Sequence, residues 1–255
     1  MSVKQTIPYR FGTFFITFTC SHWLPLIEKV NGHDILYKWF DYLKLQGHFI
    51  NAYAIMPNHV HVIISFRQTK QSISTIIGNG KRFMAYEIVK RLELACEYGM
   101  LHYLEEIVGK TRKENNKRHE VWELSFDWKE CISEKFINQK LEYIHNNPCS
   151  GKWNLSKCPE DYIHSSAKFY ETGQQGIYKI DHIGMMADIA LHEKFGIDKS
   201  DAKKEVRNVP FRRHCWERKI DHIGMMADIA LHEKFGIDKS DAKKEVRNVP
   251  FRRRC

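Results

Sequence analysis

The segment Met56-Pro57-Asn58-His59-Val60-His61-Val62-Ile63-Ile64-Ser65-Phe66 constrains the fold of this chain more than any other. Pro57-Asn58 is a tight-turn pair, and the β-branched run behind it reads as a strand. Residues two apart on a strand project from one face. His59 and His61 therefore share one side, and Val60, Val62 and Ile64 share the other. Phe49 to Met56 has the same strand character, so the two runs form a hairpin with the histidines just past its turn. Two imidazoles side by side supply two ligands of a metal site. With 14 histidines in 255 residues, about one His-x-His is expected by chance. The pair alone is equally compatible with strand histidines that bind nothing.

Phe11 to Thr19 is rich in β-branched and aromatic residues and is the expected first strand. Phe14, Ile16 and Phe18 fall on one face, and Phe15 falls on the other among Thr13, Thr17 and Thr19. From Pro25 to Gln46, Ile35, Leu36, Trp39, Phe40 and Leu43 recur at helical spacing until Gly47 ends the pattern. A second helical pattern runs from Ser72 to Leu94, with Gly78-Asn79-Gly80 as an expected break. Val121 to Phe126 is a further expected strand, with Trp122 and Phe126 on one face. Ser133 is an expected N-cap for a helix that buries Phe136, Ile137, Leu141 and Ile144 and stops near Pro148.

That last helix carries Tyr143 and Asn147, four apart and so on one face. Where this face meets the histidine pair, it offers a phenol and an amide oxygen to the same point. A His-His-Asn set with open positions suits manganese or magnesium as well as zinc. The bland alternative for Tyr143 is a half-buried tyrosine bonded to a carbonyl.

The net charge of +9 favours a polyanionic partner. Lys70, Lys81, Arg82, Lys110, Arg112, Lys113, Lys117 and Arg118 are the candidate phosphate contacts, and 110 to 118 is a polar, basic loop. The seven cysteines are odd in number and contain no Cys-x-x-Cys, which argues against a disulfide framework or a zinc ribbon. No run is apolar enough to span a bilayer and no signal peptide is visible, so the expected location is cytoplasmic. The chain has no Gly-x-x-x-x-Gly-Lys loop for a nucleotide triphosphate.

Met56-Pro57-Asn58-His59-Val60-His61 resembles the His-hydrophobe-His motif of the HUH single-strand DNA transposases. Leu141 to Pro148 resembles the tyrosine helix of their single-tyrosine class, and the REP-associated tyrosine transposases most of all. Pro159 to Ala167 and Gly12 to Phe15 are also similar to segments of that group, so the resemblance spans about residues 5 to 180. It departs from the family at Cys149-Ser150 and at Trp122-Glu123. The resemblance implies an α+β, ferredoxin-like antiparallel sheet, with the histidines on a central strand and a tyrosine-bearing helix beside it. It implies that Tyr143 is the catalytic nucleophile and that His59, His61 and Asn147 hold a divalent metal, Mg2+ or Mn2+. The implied partner is single-stranded or hairpin DNA, with no membrane. A homodimer is compatible with this, Tyr143 serving its own site or its partner's. The implied reaction is cleavage and rejoining of DNA through a 5′-phosphotyrosine. The alternative is a domesticated protein that binds DNA or RNA hairpins without cutting.

The expected DNA-transferase domain ends at residue 178. Beyond it, Lys179 to Arg213 recurs letter for letter as Lys219 to Arg253, a period of 40 residues. Two helical tail units, 179–218 and 219–255, are expected. Identical copies cannot both fill one docking groove, so one of them is expected to be loosely held or to dock on a neighbouring molecule.

Overall fold

The structure is a computed structural model that describes residues 6–109, 117–151 and 153–184. Four strands form one antiparallel sheet: β1 (Gly12–Thr19), β2 (Phe49–Ile55), β3 (His59–Phe66) and β4 (Asp127–Glu130), in the order β2-β3-β1-β4. Helices α1 (Leu26–Lys29) and α2 (His33–Leu45) connect β1 to β2. Helices α3 (Ile73–Leu94) and α4 (Tyr98–Glu106) lie between β3 and β4, and α5 (Glu134–Asn146) and α6 (Ala167–Thr172) follow. This is the ferredoxin-like α+β arrangement. Among the described residues, no helix is long and apolar enough to cross a membrane.

The register gives the sheet two unlike faces. On one, Phe14, Ile16 and Phe18 of β1 stand opposite Ile64, Val62 and Val60 of β3, and Ile50, Tyr53 and Ile55 of β2 continue the row. Their periodicity of two meets the 3.6-residue periodicity of α2 and α3, which bring Ile35, Leu36, Trp39, Phe40, Leu43, Ile77, Met84 and Ile88 against them. The result is one continuous apolar cluster, where each large side chain removed from water contributes roughly 1.5–3 kcal/mol. On the other face, Thr17 and Thr19 stand opposite His61 and His59, and Phe15 opposite Ile63. The side chains from β2 here are small, Ala54 lying beside His61. Helix α5 packs over this face through Leu141 and Ile144.

Three local expectations change. The run 25–46 is two helices, because Asn31 takes a left-handed φ of 49° and Gly32 N bonds back to Ile27 O at 2.7 Å. The expected break at Gly78-Asn79-Gly80 is absent, and α3 runs through it. Gly80 instead permits contact: a Cβ there would lie 2.2 Å from Nε1 of Trp39 on α2. The last strand lies at 127–130 rather than 121–126. Trp122 makes only a bridge to Cys20, its indole N–H donating to Lys81 O at 2.9 Å. Beyond it the chain lifts off β1, and Lys81 Nζ donates to the carbonyls of Glu123 and Ser125 at 2.8 and 3.1 Å.

The outer edge of β2 is covered, as an edge strand needs to be. Ile55 N donates to His164 O and Ser166 N to Tyr53 O, each at 2.9 Å. Further along, Asp181 N donates to Ile50 O at 2.9 Å, and Ile180 and Ile183 are buried. The rest of the first tail unit and all of the second lie outside the described residues.

Candidate active site

Helix α5 begins where its sequence says it should: Ser133 Oγ accepts from Phe136 N at 3.3 Å. Its far end is pinned. His145 is buried, and desolvation lowers its pKa to about 4. The neutral ring bonds Ser166 Oγ at 2.8 Å, and that hydroxyl also accepts from Tyr53 N at 3.0 Å. The helix is thereby locked to β2, with Tyr143 facing β3.

The side chains of the two elements meet. The Tyr143 ring lies edge-on to His61 with centres 5.0 Å apart, and edge-on to Phe15 at 5.9 Å. His59 and His61 are 4.7 Å apart between ring centres. His59 Nε2 is 3.3 Å from Asn147 Oδ1. Both histidines are buried, whereas Tyr143 is 48% exposed. The four residues singled out in the sequence therefore form one row of contacts, from Tyr143 to His61, His59 and Asn147.

The hydrogen bonds fix ring orientation. Asn58 Nδ2 donates to Trp23 O at 3.0 Å, which leaves Asn58 Oδ1 to accept from His59 Nδ1 at 2.7 Å. With Nδ1 turned to Asn58, Nε2 of His59 is the ring nitrogen that faces the Asn147 amide oxygen, and the two atoms are placed to act as ligands of one cation. His61 Nδ1 bonds the Thr17 hydroxyl at 2.8 Å. Its Nε2 is buried without a hydrogen-bond partner among the described residues. Burial, then the charge of His59 and then that of Lys140, lower the His61 pKa to about 3. It is an imidazole and not an imidazolium, as a ligand must be. Among the described residues there is no group of three His, Cys, Asp or Glu; the donor set that fits a divalent cation is two imidazoles and one amide oxygen.

Three neighbours were not singled out in the sequence. Lys140 lies one turn before Tyr143, and its Nζ sits 4.8, 5.2 and 5.5 Å from the ring centres of Phe15, Phe136 and Tyr143. Phe15 stacks on His61 at 5.8 Å with 17° between planes. Trp23 stands edge-to-face on His59 at 5.8 Å. The spacing 136, 140, 143, 147 marks one helix face and was the available signal for Lys140; nothing local marks Trp23.

The candidate phosphate contacts differ in their surroundings. Lys81 is buried on backbone carbonyls and is withdrawn as a surface cation. Lys117 pairs with Glu120. Lys70, Arg82 and Arg118 are exposed, and Arg82, Lys117 and Arg118 line a groove beside α3 with Lys90. Lys110, Arg112 and Lys113 lie outside the described residues.

No protein-family model and no curated protein matches the chain. Its structure is similar to a solved REP-associated tyrosine transposase bound to a REP hairpin, with 18% identity and a TM-score of 0.45. That match covers 72% of this chain and 93% of the other. It is also similar to a candidate transposase from Deinococcus radiodurans R1, with 15% identity and a TM-score of 0.31, over 57% of this chain and 97% of the other.

Proposed function

We propose that the protein is a transposase-like, metal-dependent strand transferase acting on single-stranded DNA at hairpin-bearing sites. Tyr143 is its nucleophile, and His59, His61 and Asn147 hold a divalent cation, Mg2+ or Mn2+. What carries this reading is the approach of a half-exposed phenol to two buried imidazoles and an amide oxygen, from a strand and a helix distant in the chain.

A divalent cation bound there supplies Lewis-acid polarisation of the phosphate and offsets charge in the transition state. A phenol ionises near pH 10 in water and is a weak nucleophile at neutral pH, so the charge it develops needs a partner. Lys140, 5.5 Å from the centre of the Tyr143 ring, is a cation that the chain itself provides there. The Tyr143 oxygen forms a bond to phosphorus as the bond from phosphorus to the 3′-oxygen breaks. The phenol loses its proton to solvent, and the 3′-oxygen gains one. The DNA is left as a 5′-phosphotyrosine that conserves the bond energy. Attack by a 3′-hydroxyl then releases Tyr143. A single strand can bend into a site recessed between a helix and a sheet; a stiff duplex cannot reach it as readily.

The test is a covalent-adduct assay on labelled single-stranded hairpin DNA, with manganese, magnesium or chelator. A metal-dependent shifted band that disappears in Tyr143→Phe is expected. Adduct formation by the variant would sink the proposal, and cleavage without adduct would point to water as the nucleophile. The second reading, a hairpin-binding protein that does not cut, is favoured by the groove of Arg82, Lys90, Lys117 and Arg118 beside α3. Tight binding with no adduct in any metal selects it.

A further inference from the structure

The turn after β1 holds two backbone conformations that the strand-transfer chemistry leaves unexplained. His22 and Trp23 have φ of 52° and 59°, the left-handed region that is unfavourable for any residue with a Cβ. Such strain survives only where neighbours impose it, and it gathers at functional sites. The neighbours here are specific. His22 N donates to Glu123 Oε1 at 2.8 Å, and its ring bonds the Tyr103 hydroxyl at 2.7 Å. Cys20 N donates to Asn58 O at 2.7 Å, and Asn58 Nδ2 to Trp23 O at 3.0 Å. Asn58 thus fixes the Trp23 backbone and the His59 ring together.

What this framework holds is an indole in the open. Trp23 is 57% exposed and takes no part in the apolar cluster of the closed face. Its ring is fixed against His59 at 67° between planes. From it the rings continue to His59, to His61 at 4.7 Å and to Tyr143 at 5.0 Å. A large aromatic held rigid beside a phosphoryl-transfer site, with much of its surface in solvent, is suited to stacking.

We infer that Trp23 is a stacking platform for the nucleobase beside the phosphate that Tyr143 attacks. The inference rests on the strand-transferase reading and adds a positioning residue to it. A base lying on the indole sets its own backbone over the histidine pair. Every base has a π face, so the platform sets the register of the strand and does not read its sequence. It selects a single strand, because a base stacked on both sides within a duplex has no face to offer.

The test uses the full chain in chelator, so that binding is read apart from cleavage. The probes are single-stranded oligothymidylate and a strand of equal length built of abasic residues. Trp23→Ala is expected to bind oligothymidylate about tenfold more weakly than wild type, while both proteins bind the abasic strand alike. Trp23→Phe, which keeps a ring against His59, is expected to lose less and guards against a folding defect. Equal affinities of Trp23→Ala and wild type for oligothymidylate would overturn the inference. So would the same loss on the abasic strand. A base-dependent loss in Trp23→Ala, with no adduct from wild type in any metal, would remove the strand-transferase reading and leave the platform standing. No binding of either strand by wild type would overturn both.

Discussion

The two faces of the sheet are built from the same strands and do opposite things. On the closed face, Phe14, Ile16 and Phe18 of β1 and Val60, Val62, Ile64 and Phe66 of β3 are apolar and buried in the cluster that α2 and α3 complete. On the other, the alternate residues are Thr17, Thr19, His59 and His61, with Ala54 beside them. The second face mixes buried apolar residues, Phe15 and Ile63, with polar ones and leaves the Nε2 of His61 without a hydrogen-bond partner among the described residues. An orphaned buried donor or acceptor costs on the order of 1–3 kcal/mol, so a protein keeps one where it has a use. The closed face supplies the stability that the reactive face lacks.

The sharpest way to break this comparison is Tyr143→Phe. It should abolish the covalent adduct, at least ~10³-fold or about 4 kcal/mol of transition-state stabilisation. The unfolding free energy should stay within about 0.5 kcal/mol, because the group removed lies on a half-exposed side chain. Chemical denaturation and a denaturing gel check the two halves. Phe40→Ala on the closed face should do the reverse. It should cost about 3–5 kcal/mol, with adduct yield per folded molecule unchanged under strongly native conditions. A large loss of adduct among folded molecules would show that the faces are not separable.

Gly80→Ala is a smaller step on the same face. Its Cβ would lie within 2.2 Å of the Trp39 indole, so overpacking of about 1–3 kcal/mol is expected in the denaturation midpoint. A neutral result would mean that α2 and α3 separate easily. The smallest effect is expected at the β2 edge, where the faces join. His164 has a pKa lowered to about 4 by burial and by the neighbouring His33, whose ring stacks on it at 3.5 Å. Tyr37, its hydrogen-bond partner at 3.0 Å, and Tyr162 also face it. The unfolded state takes up a proton near pH 6.5 and the folded state only near 4. Stability should therefore fall as pH drops through that window, and His164→Asn should reduce the slope in thermal melts across it, the remainder coming from other buried histidines such as His145.

Much of this was legible locally because strands and helices write their faces into adjacent residues. His59 and His61 share a side by the period of two, and Tyr143 and Asn147 by the helical turn. Ser133 announces its cap by its own chemistry. Errors arose where a residue's role depends on something distant in the chain. Gly80 reads as a helix breaker until Trp39 is seen against it. Lys81 reads as a surface cation until the carbonyls of Glu123 and Ser125 close on it. The strand placed at 121–126 has suitable residues, but the β1 ladder resumes only at Asp127.

The sequence by itself determined most of the elements, the two-faced character of the sheet and the four residues on which the candidate chemistry rests, because each follows from hydrogen bonding and side-chain direction within one short segment. Only the tertiary structure decided that these residues stand in one row of contacts, that His61 is neutral, that Lys140 sits among three rings and that Trp23 is held strained beside His59. Those properties depend on which groups approach across tens of residues and on how completely they exclude water, and neither quantity exists until the chain has packed.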